Sequence, residues 1–455
     1  MKSSAIAAIS TAQGEGGIGV IRISGDDAIQ IADKVFKCAG NKKLSDLEGY
    51  RASFGYVEKD GEKIDEAVAL VFKAPHSYTG EDVVEISCHG GLFITKKVLR
   101  TVLEAGATPA QAGEFTKRAF LNEKIDLAEA ESVMDIIKAK SESAARAALV
   151  TKDGALSKKI NEIKDDLINK AAHLSAWADY PEEDIPEVTE ESLQISLNNA
   201  EKKLTYLLST YDIGQTVKEG IDTVIAGRPN VGKSTLMNLL TGSEKSIVTE
   251  IPGTTRDIIE ETVALGNVIL RLSDTAGIRE TDNTVEKIGV ERAKKRLLNC
   301  GLVLAVFDSS SPLNNDDKEL IETIENVPAV AVINKSDLQR NIDCDYIESK
   351  IKHTVYISAS NGEGLKNLID VIEEIAGTSS FNPSEGILSN ERQRDAVNSA
   401  LNSVKEAKEA LNYGMTFDAV TVSLEDAISS LLELTGEKAS DEIVDKVFHN
   451  FCVGK

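Results

Sequence analysis

The chain has 455 residues, 42% hydrophobic and 27% charged, the make-up of a globular protein with room for roughly two to four domains. Its net charge of −23 argues against non-specific nucleic-acid binding, whose affinity comes mainly from cations on phosphates, but leaves room for RNA held by one local basic surface or through a partner. Five scattered cysteines (Cys38, Cys88, Cys300, Cys344, Cys452), never spaced CxxC, imply reduced thiols and no zinc site; the run Met1 to Ile9 is too short for a signal core or a membrane span, so a cytoplasmic protein is expected.

Three regions separate by pattern. Through residue 118, short β-rich runs alternate with glycine turns, and the spacing predicts strands over Gly19 to Ser24, Glu66 to Phe72 and Asp82 to Ser87 and a helix over Leu92 to Ala105. From 119 the pattern is helical: Leu156, Ile160, Ile163, Leu167, Ala171 and Leu174 recur at three- and four-residue steps and form one apolar stripe. The acidic stretch Tyr180 to Glu191, with Pro181 and Pro186, ends that helix and links it to another through Leu193, Leu204 and Leu207. Residues 217–377 alternate strand and helix, the sign of a mostly parallel sheet covered on both faces. A loop, Thr378 to Glu385, then leads into helices again, with Val397, Leu401, Val404 and Leu411 on one face. The expected division is 1–118, 119–216, 217–377 and 378–455, the third segment being inserted between two parts of a helical domain.

That third segment carries the most specific signal. GRPNVGKS, from Gly227 to Ser234, fits the phosphate-loop pattern and sits between a predicted strand, Asp222 to Ala226, and a predicted helix, Lys233 to Leu240. Backbone N–H groups of such a loop face phosphates; Lys233 reaches the β/γ oxygens and the Ser234 hydroxyl ligates Mg²⁺. PGTTRD (Pro252 to Asp257), DTAG (Asp274 to Gly277) and NKSD (Asn334 to Asp337) follow in the order a GTPase needs. Thr255 is the expected second Mg²⁺ ligand, Asp274 holds the metal's shell through water, and Gly277 turns its N–H to the γ-phosphate. Asp337, after the predicted strand Ala329 to Ile333, offers guanine a carboxylate that adenine cannot satisfy; leaving it buried and unpaired would cost roughly 1–3 kcal/mol. Ser358, Ala359 and Ser360, after the predicted strand Val355 to Ile357, are the expected backbone contact to the base oxygen. The expected GTP-contact set is thus Asn230, Val231, Gly232, Lys233, Ser234 and Thr235; Thr249, Glu250, Ile251, Pro252, Gly253, Thr254 and Thr255; Asp274, Thr275, Ala276 and Gly277; Asn334, Lys335, Ser336 and Asp337; and Ser358 to Ser360. Where many GTPases place a water-orienting Gln, this chain has Ile278, which leaves Arg279, Glu286 or a loop-held monovalent cation for that work.

Beyond the GTPase motifs, GGIGVIRISG, SYTGEDVVE, GEFTKRAFLNEKIDLAEAE and the terminal FCVGK occur in one chain, which resembles the MnmE (TrmE) family of tRNA-modifying GTPases over nearly its full length. The resemblance implies an α/β multidomain architecture: an N-terminal α+β domain that binds folate and dimerises, then a helical domain interrupted by an inserted Ras-like P-loop GTPase domain. It implies a homodimer working with MnmG (GidA), a separate FAD- and NADH-using protein. Together they build an aminomethyl or carboxymethylaminomethyl group on C5 of the tRNA wobble uridine, with a 5-formyl-tetrahydrofolate or related folate as one-carbon donor. The family's potassium positions fall on Asn230, Thr249, Ile251 and Thr254, and its water-orienting glutamate on Glu286; with Asp274 and Gly277 these form the expected catalytic set. The folate positions fall on Arg22, Glu81, Lys124 and Lys455. Phe451, Val453 and Gly454 suit insertion into a pocket, and Cys452 among them reads as a nucleophile, a thiol lining the folate site or a packed thiol. The chain departs from the pattern in SAS at Ser358 to Ser360 and in Val453 where Ile is usual.

The rival reading is a ribosome-assembly switch of the Era type. Such proteins usually append an RNA-binding module with a GXXG loop on a basic helix pair, whereas the flanks here are acidic helices without such a loop.

Overall fold

The computed structural model describes residues 4–40, 42–179, 189–242, 260–273 and 295–455. The chain folds into two compact units, Met1–Met134 with Ile428–Lys455, and Asp135–Ala427.

The first unit is built on a seven-stranded sheet in the order β3-β4-β5-β6-β2-β1-β7. Its strands are β1 (Ile6–Ile9), β2 (Ile18–Ser24), β3 (Phe36–Cys38), β4 (Arg51–Lys59), β5 (Glu62–Phe72), β6 (Val83–His89) and β7 (Thr108–Pro109). Pairing is antiparallel except where β7 runs parallel to β1. Alternation along β2 divides its work. Ile21 and Ile23 point into a core with α1 (Ala28–Val35) and α2 (Leu92–Glu104), so Arg22 and Ser24 belong to the opposite face. On that face Ile6 and Ala8 pack against Phe115 of α3 (Glu114–Leu121). Helix α4 (Leu127–Lys138) joins the terminal helix Asp441–His449 through Leu127, Met134, Val444 and Phe448, with Phe451 of the tail in the same cluster.

In the second unit the stripe Leu156, Ile160, Ile163, Leu167, Ala171 and Leu174 is buried along α6 (Ala155–Asp179), which follows α5 (Glu142–Lys152). Helix α7 (Glu190–Glu219) starts where the Thr189 hydroxyl accepts the Ser192 N–H, packs against the helix Glu391–Asn412, and passes at Gly220 straight into the central strand of a second sheet. Val397, Leu401, Val404 and Leu411 are buried in the helix Glu391–Asn412. The second sheet has six strands among the described residues, ordered β13-β12-β11-β8-β10-β9: β8 (Ile221–Ala226), β9 (Glu260–Leu265), β10 (Val268–Ser273), β11 (Leu302–Asp308), β12 (Ala329–Asn334) and β13 (His353–Tyr356). All pairs are parallel save β9 with β10. One face packs on α8 (Lys233–Thr241) and the helix Leu365–Ile375, the other on the helices Asn315–Thr323 and Cys344–Lys350. β11 and β12 are buried at every position because both faces are covered. Among the described residues no helix is long and apolar enough to cross a membrane.

Candidate nucleotide and folate sites

Parallel pairing brings the carboxyl ends of β8, β11, β12 and β13 to one edge, where open α/β sheets bind ligands. The loop after β8 reaches α8 through Asn230 (φ 64°) and Gly232 (φ 98°), both left-handed. A Cβ on Gly232 would stand 2.2 Å from the Asn334 side-chain nitrogen, so the loop lies directly against the end of β12. Asn334 is 3% exposed. Its Nδ2 donates to the Val231 carbonyl (2.8 Å) and its Oδ1 accepts the Ala359 N–H (3.0 Å). One amide therefore ties the phosphate loop to the loop after β13, which explains why a buried Asn stands there.

Lys335, itself left-handed (φ 61°), donates from Nζ to the Asn230 carbonyl (3.1 Å) and to Asp308 Oδ2 (2.5 Å). The Ser310 N–H and hydroxyl also donate to Asp308. Burial pushes the Asp308 carboxyl upward, but the bonds from Lys335 and Ser310 outweigh it and hold it below the usual carboxylate value. The Ser309 hydroxyl donates to the Lys335 carbonyl (2.7 Å), and the Ser336 N–H to Ile357. Ser358 is buried, with its hydroxyl 3.1 Å from that of Ser360.

Lys233 Nζ donates to the carbonyls of Gly227 (2.8 Å) and Arg228 (2.9 Å), which centres the ammonium over the loop. Ser234 and Thr235 are exposed in the first turn of α8, where a hydroxyl is open to a metal ion and N–H groups to phosphate. Among the described residues nothing hydrogen-bonds the Asn230 side chain, which is exposed. The loop, Lys233 and Ser234 thus fit a triphosphate with Mg²⁺. Asp337 differs from the buried carboxylate expected: it is exposed, because the turn closed by the Leu338 N–H on the Lys335 carbonyl carries it past the strand end. Thr249, Glu250, Ile251, Pro252, Gly253, Thr254, Thr255, Asp274, Thr275, Ala276, Gly277, Ile278, Arg279 and Glu286 lie outside the described residues, as does most of the Tyr180 to Glu191 link.

The second cluster sits on the Arg22 face of the first sheet. Arg22 pairs with Glu85 (2.8 Å), lies 5.5 Å from the Tyr78 ring centroid, and donates to the Gly454 carbonyl (3.4 Å). The tail is held there by the Ser10 hydroxyl on the same carbonyl (3.1 Å) and by pairing of Val453 with Ala112. Gly454 is left-handed (φ 100°), and a Cβ would stand 2.3 Å from the Ile9 carbonyl, so the tail lies flush on β1. Lys455 comes close enough to Arg22 that burial first, then that guanidinium, draws its ammonium below the ordinary lysine value, with Glu85 opposing.

Two residues along β2, the Ser24 hydroxyl donates to Glu81 Oε2 (2.7 Å), so Glu81 shares the Arg22 face. Glu81, 9% exposed, accepts both oxygens' bonds from Arg118 Nη1 (3.2 and 3.1 Å). Lys124 Nζ donates to the Pro75 carbonyl and Asn122 to the Thr79 carbonyl, which anchors that stretch beside the loop bearing Glu81. A cavity of about 670 Å³ opens here, lined by Glu81, Lys117, Arg118, Asn122, Asp445 and His449 among others. Of the four positions expected to hold folate, Arg22, Glu81 and Lys455 lie on this face, Lys124 is held by the Pro75 carbonyl on the loop that leads to Glu81, and only Glu81 lines the cavity. Sequence reading missed Arg118 and Asp308: Arg118 follows another cation, Lys117, and Asp308 closes an apolar strand, and only the partner across the fold marks each out.

Comparison with known proteins agrees over the whole chain. Residues 5–124 match the family described as the GTP-binding protein TrmE N-terminus, and residues 127–452 that described as the MnmE helical domain. The tRNA modification GTPase MnmE of Clostridioides difficile (strain 630) is 42% identical, across 99% of both chains. The protein of that name from Lactococcus lactis subsp. cremoris (strain SK11) is 43% identical, across 99% of this chain and 98% of its own. Among solved structures, the G domain of the T. maritima FeoB iron transporter matches at 30% identity, covering 34% of this chain and 98% of that one, with a TM-score of 0.26.

Proposed function

The chain belongs to the MnmE family of tRNA modification GTPases, and from that premise we propose that it hydrolyses GTP to drive C5 modification of the tRNA wobble uridine. The observation that carries the proposal is the meeting of three GTPase motifs at Asn334, which bonds both the phosphate loop and the Ala359 loop. Relatives matched across 99% of this chain disfavour the Era-type alternative.

In this reading the loop N–H groups from Asn230 to Thr235 and the Lys233 ammonium hold the β/γ-phosphates, and Asp337, Lys335 and the Ser358–Ser360 loop hold guanine. Ser234 and Thr255 would hold Mg²⁺, which would neutralise charge on the phosphate oxygens. A potassium ion on Asn230, Thr249, Ile251 and Thr254 would supply positive charge of the kind an arginine finger gives, worth roughly 10³–10⁵ in rate. Lys335 fixes the Asn230 backbone and leaves its side chain open, which supports that assignment. Glu286, in place of the missing Gln, orients the attacking water, with Asp274 and Gly277 at the metal shell and γ-phosphate.

A formyl-tetrahydrofolate would bind on the Arg22 face. Glu81 addresses the pterin, Arg22, Lys124 and Lys455 its glutamate tail, and the cavity beside Glu81 has a volume in the usual range for such a ligand. The protein acts in the cytoplasm as a homodimer with MnmG, which supplies the flavin chemistry. The test is GTP turnover in KCl against NaCl, with wobble-uridine analysis of tRNA from cells lacking the protein. Turnover should be several-fold faster in potassium and the C5 group should vanish from tRNA. Equal rates in the two salts remove the cation, and intact wobble uridines remove the modification role.

A further inference from the structure

We infer that the outer face of α2 is an RNA-binding surface: Lys96, Lys97 and Arg100 take the phosphates of an unpaired stretch of the substrate RNA, and Phe93 stacks on one of its bases. The inference deepens the tRNA-modifying reading above and rests on it.

Phe93 is 75% exposed, an unusual position for a large aromatic side chain. Lys96 and Lys97 follow at three and four residues and Arg100 at seven, all exposed, so ring and cations share one side of the helix. Together with Lys59 they border an open cavity of about 530 Å³. Its one acidic lining residue, Glu104, is shared by Lys59 (2.5 Å) and Arg100 (3.0 Å). Among the described residues no carboxylate pairs with Lys96 or Lys97. Four cations against one carboxylate stand out on a chain whose net charge is −23.

The opposite side of α2 is committed to the sheet core through Val98 and Val102, so the helix is a rigid carrier for its outer residues. Cations spaced along a groove track a phosphate backbone, and an exposed ring among them gives a sequence-tolerant stacking platform for bases splayed from a loop. An acidic protein would answer the lysines but leave the ring without its natural partner. A second copy of this acidic chain is the competing occupant.

The experiment uses the full-length protein and an unmodified tRNA transcript, with binding followed by fluorescence anisotropy over a salt series. Wild type should bind with log K falling linearly against log salt. Lys96→Glu with Lys97→Glu should weaken binding at least about tenfold and flatten that slope by about two. Phe93→Ala should weaken it by about five- to hundredfold with the slope nearly kept. GTP turnover and sedimentation mass should match wild type in both variants. Wild-type affinity and slope in both variants overturn the inference. So does a loss of dimer mass with unaltered RNA affinity, which reassigns the face to a contact between copies. Absence of RNA binding by the wild type removes the surface altogether, while wobble-uridine analysis judges the tRNA-modifying reading separately.

Discussion

Lys335 holds the Asn230 carbonyl with one hydrogen bond and Asp308 with another, so a carboxylate at the end of β11 sets the phosphate loop at one remove. We predict that Asp308→Asn costs about 1 kcal/mol, less than the roughly 1.5–3 kcal/mol of a buried charge-assisted bond, since Lys335 is a third exposed and recovers water. The pH dependence follows from the lowered carboxyl. Its stabilisation is complete above the unfolded-state value, roughly pH 4, and is lost as pH falls through the lower folded value. Melting of wild type and Asp308→Asn should therefore differ at pH 7 and converge in acid; a gap that widens in acid contradicts this ion pair. Asp337, exposed at its turn, lends itself to a cleaner exchange. Asp337→Asn should weaken GTP binding at least about tenfold and favour xanthosine triphosphate, because a lost charge-assisted pair to the base is worth roughly 1.5–3 kcal/mol. Unchanged GTP affinity by calorimetry sinks the base-reading role.

Among elements, the terminal tail is the clearest case of a segment whose placement depends on another. Gly454 lets it lie on β1, and Arg22 and Ser10 both hold its carbonyl. Gly454→Val forces a side chain against the Ile9 backbone in a left-handed conformation, strain of about 1–3 kcal/mol, comparable to what the tail's few hydrogen bonds supply. The variant should release the tail: folate titration should weaken while GTP turnover stays within about twofold, as it should on removal of Lys455. Unaltered folate binding in both variants would separate the tail from that ligand. The helix stripes and strand runs were legible because periodicity reports burial directly: the predicted strands Gly19 to Ser24 and Glu66 to Phe72 lie within β2 and β5, and the predicted helix Leu92 to Ala105 overlaps α2 to Glu104. β1 was not legible, since Ile6–Ile9 is four residues buried on both sides and carries no alternation.

Across the molecule, the two compact units give a thermal test. Calorimetry should resolve two transitions. A non-hydrolysable GTP analogue at 100 times its Kd should raise the one belonging to Asp135–Ala427, by about 2.7 kcal/mol or several degrees, and leave the other in place. A folate should do the reverse. A single transition moved by both ligands contradicts independent units.

The sequence by itself determined the nucleotide chemistry, because phosphate and base recognition depend on short contiguous motifs whose spacing is local: GRPNVGKS before a helix and NKSD after a strand. It also determined the family, through runs that need no folding to be read. Only the tertiary structure decided which charges meet. Glu81 finds Arg118, Lys335 finds Asp308, and the Gly454 carbonyl finds Ser10 across 444 positions. A side chain's partner is fixed by sheet order and register rather than by its neighbours in sequence, and no local pattern encodes that.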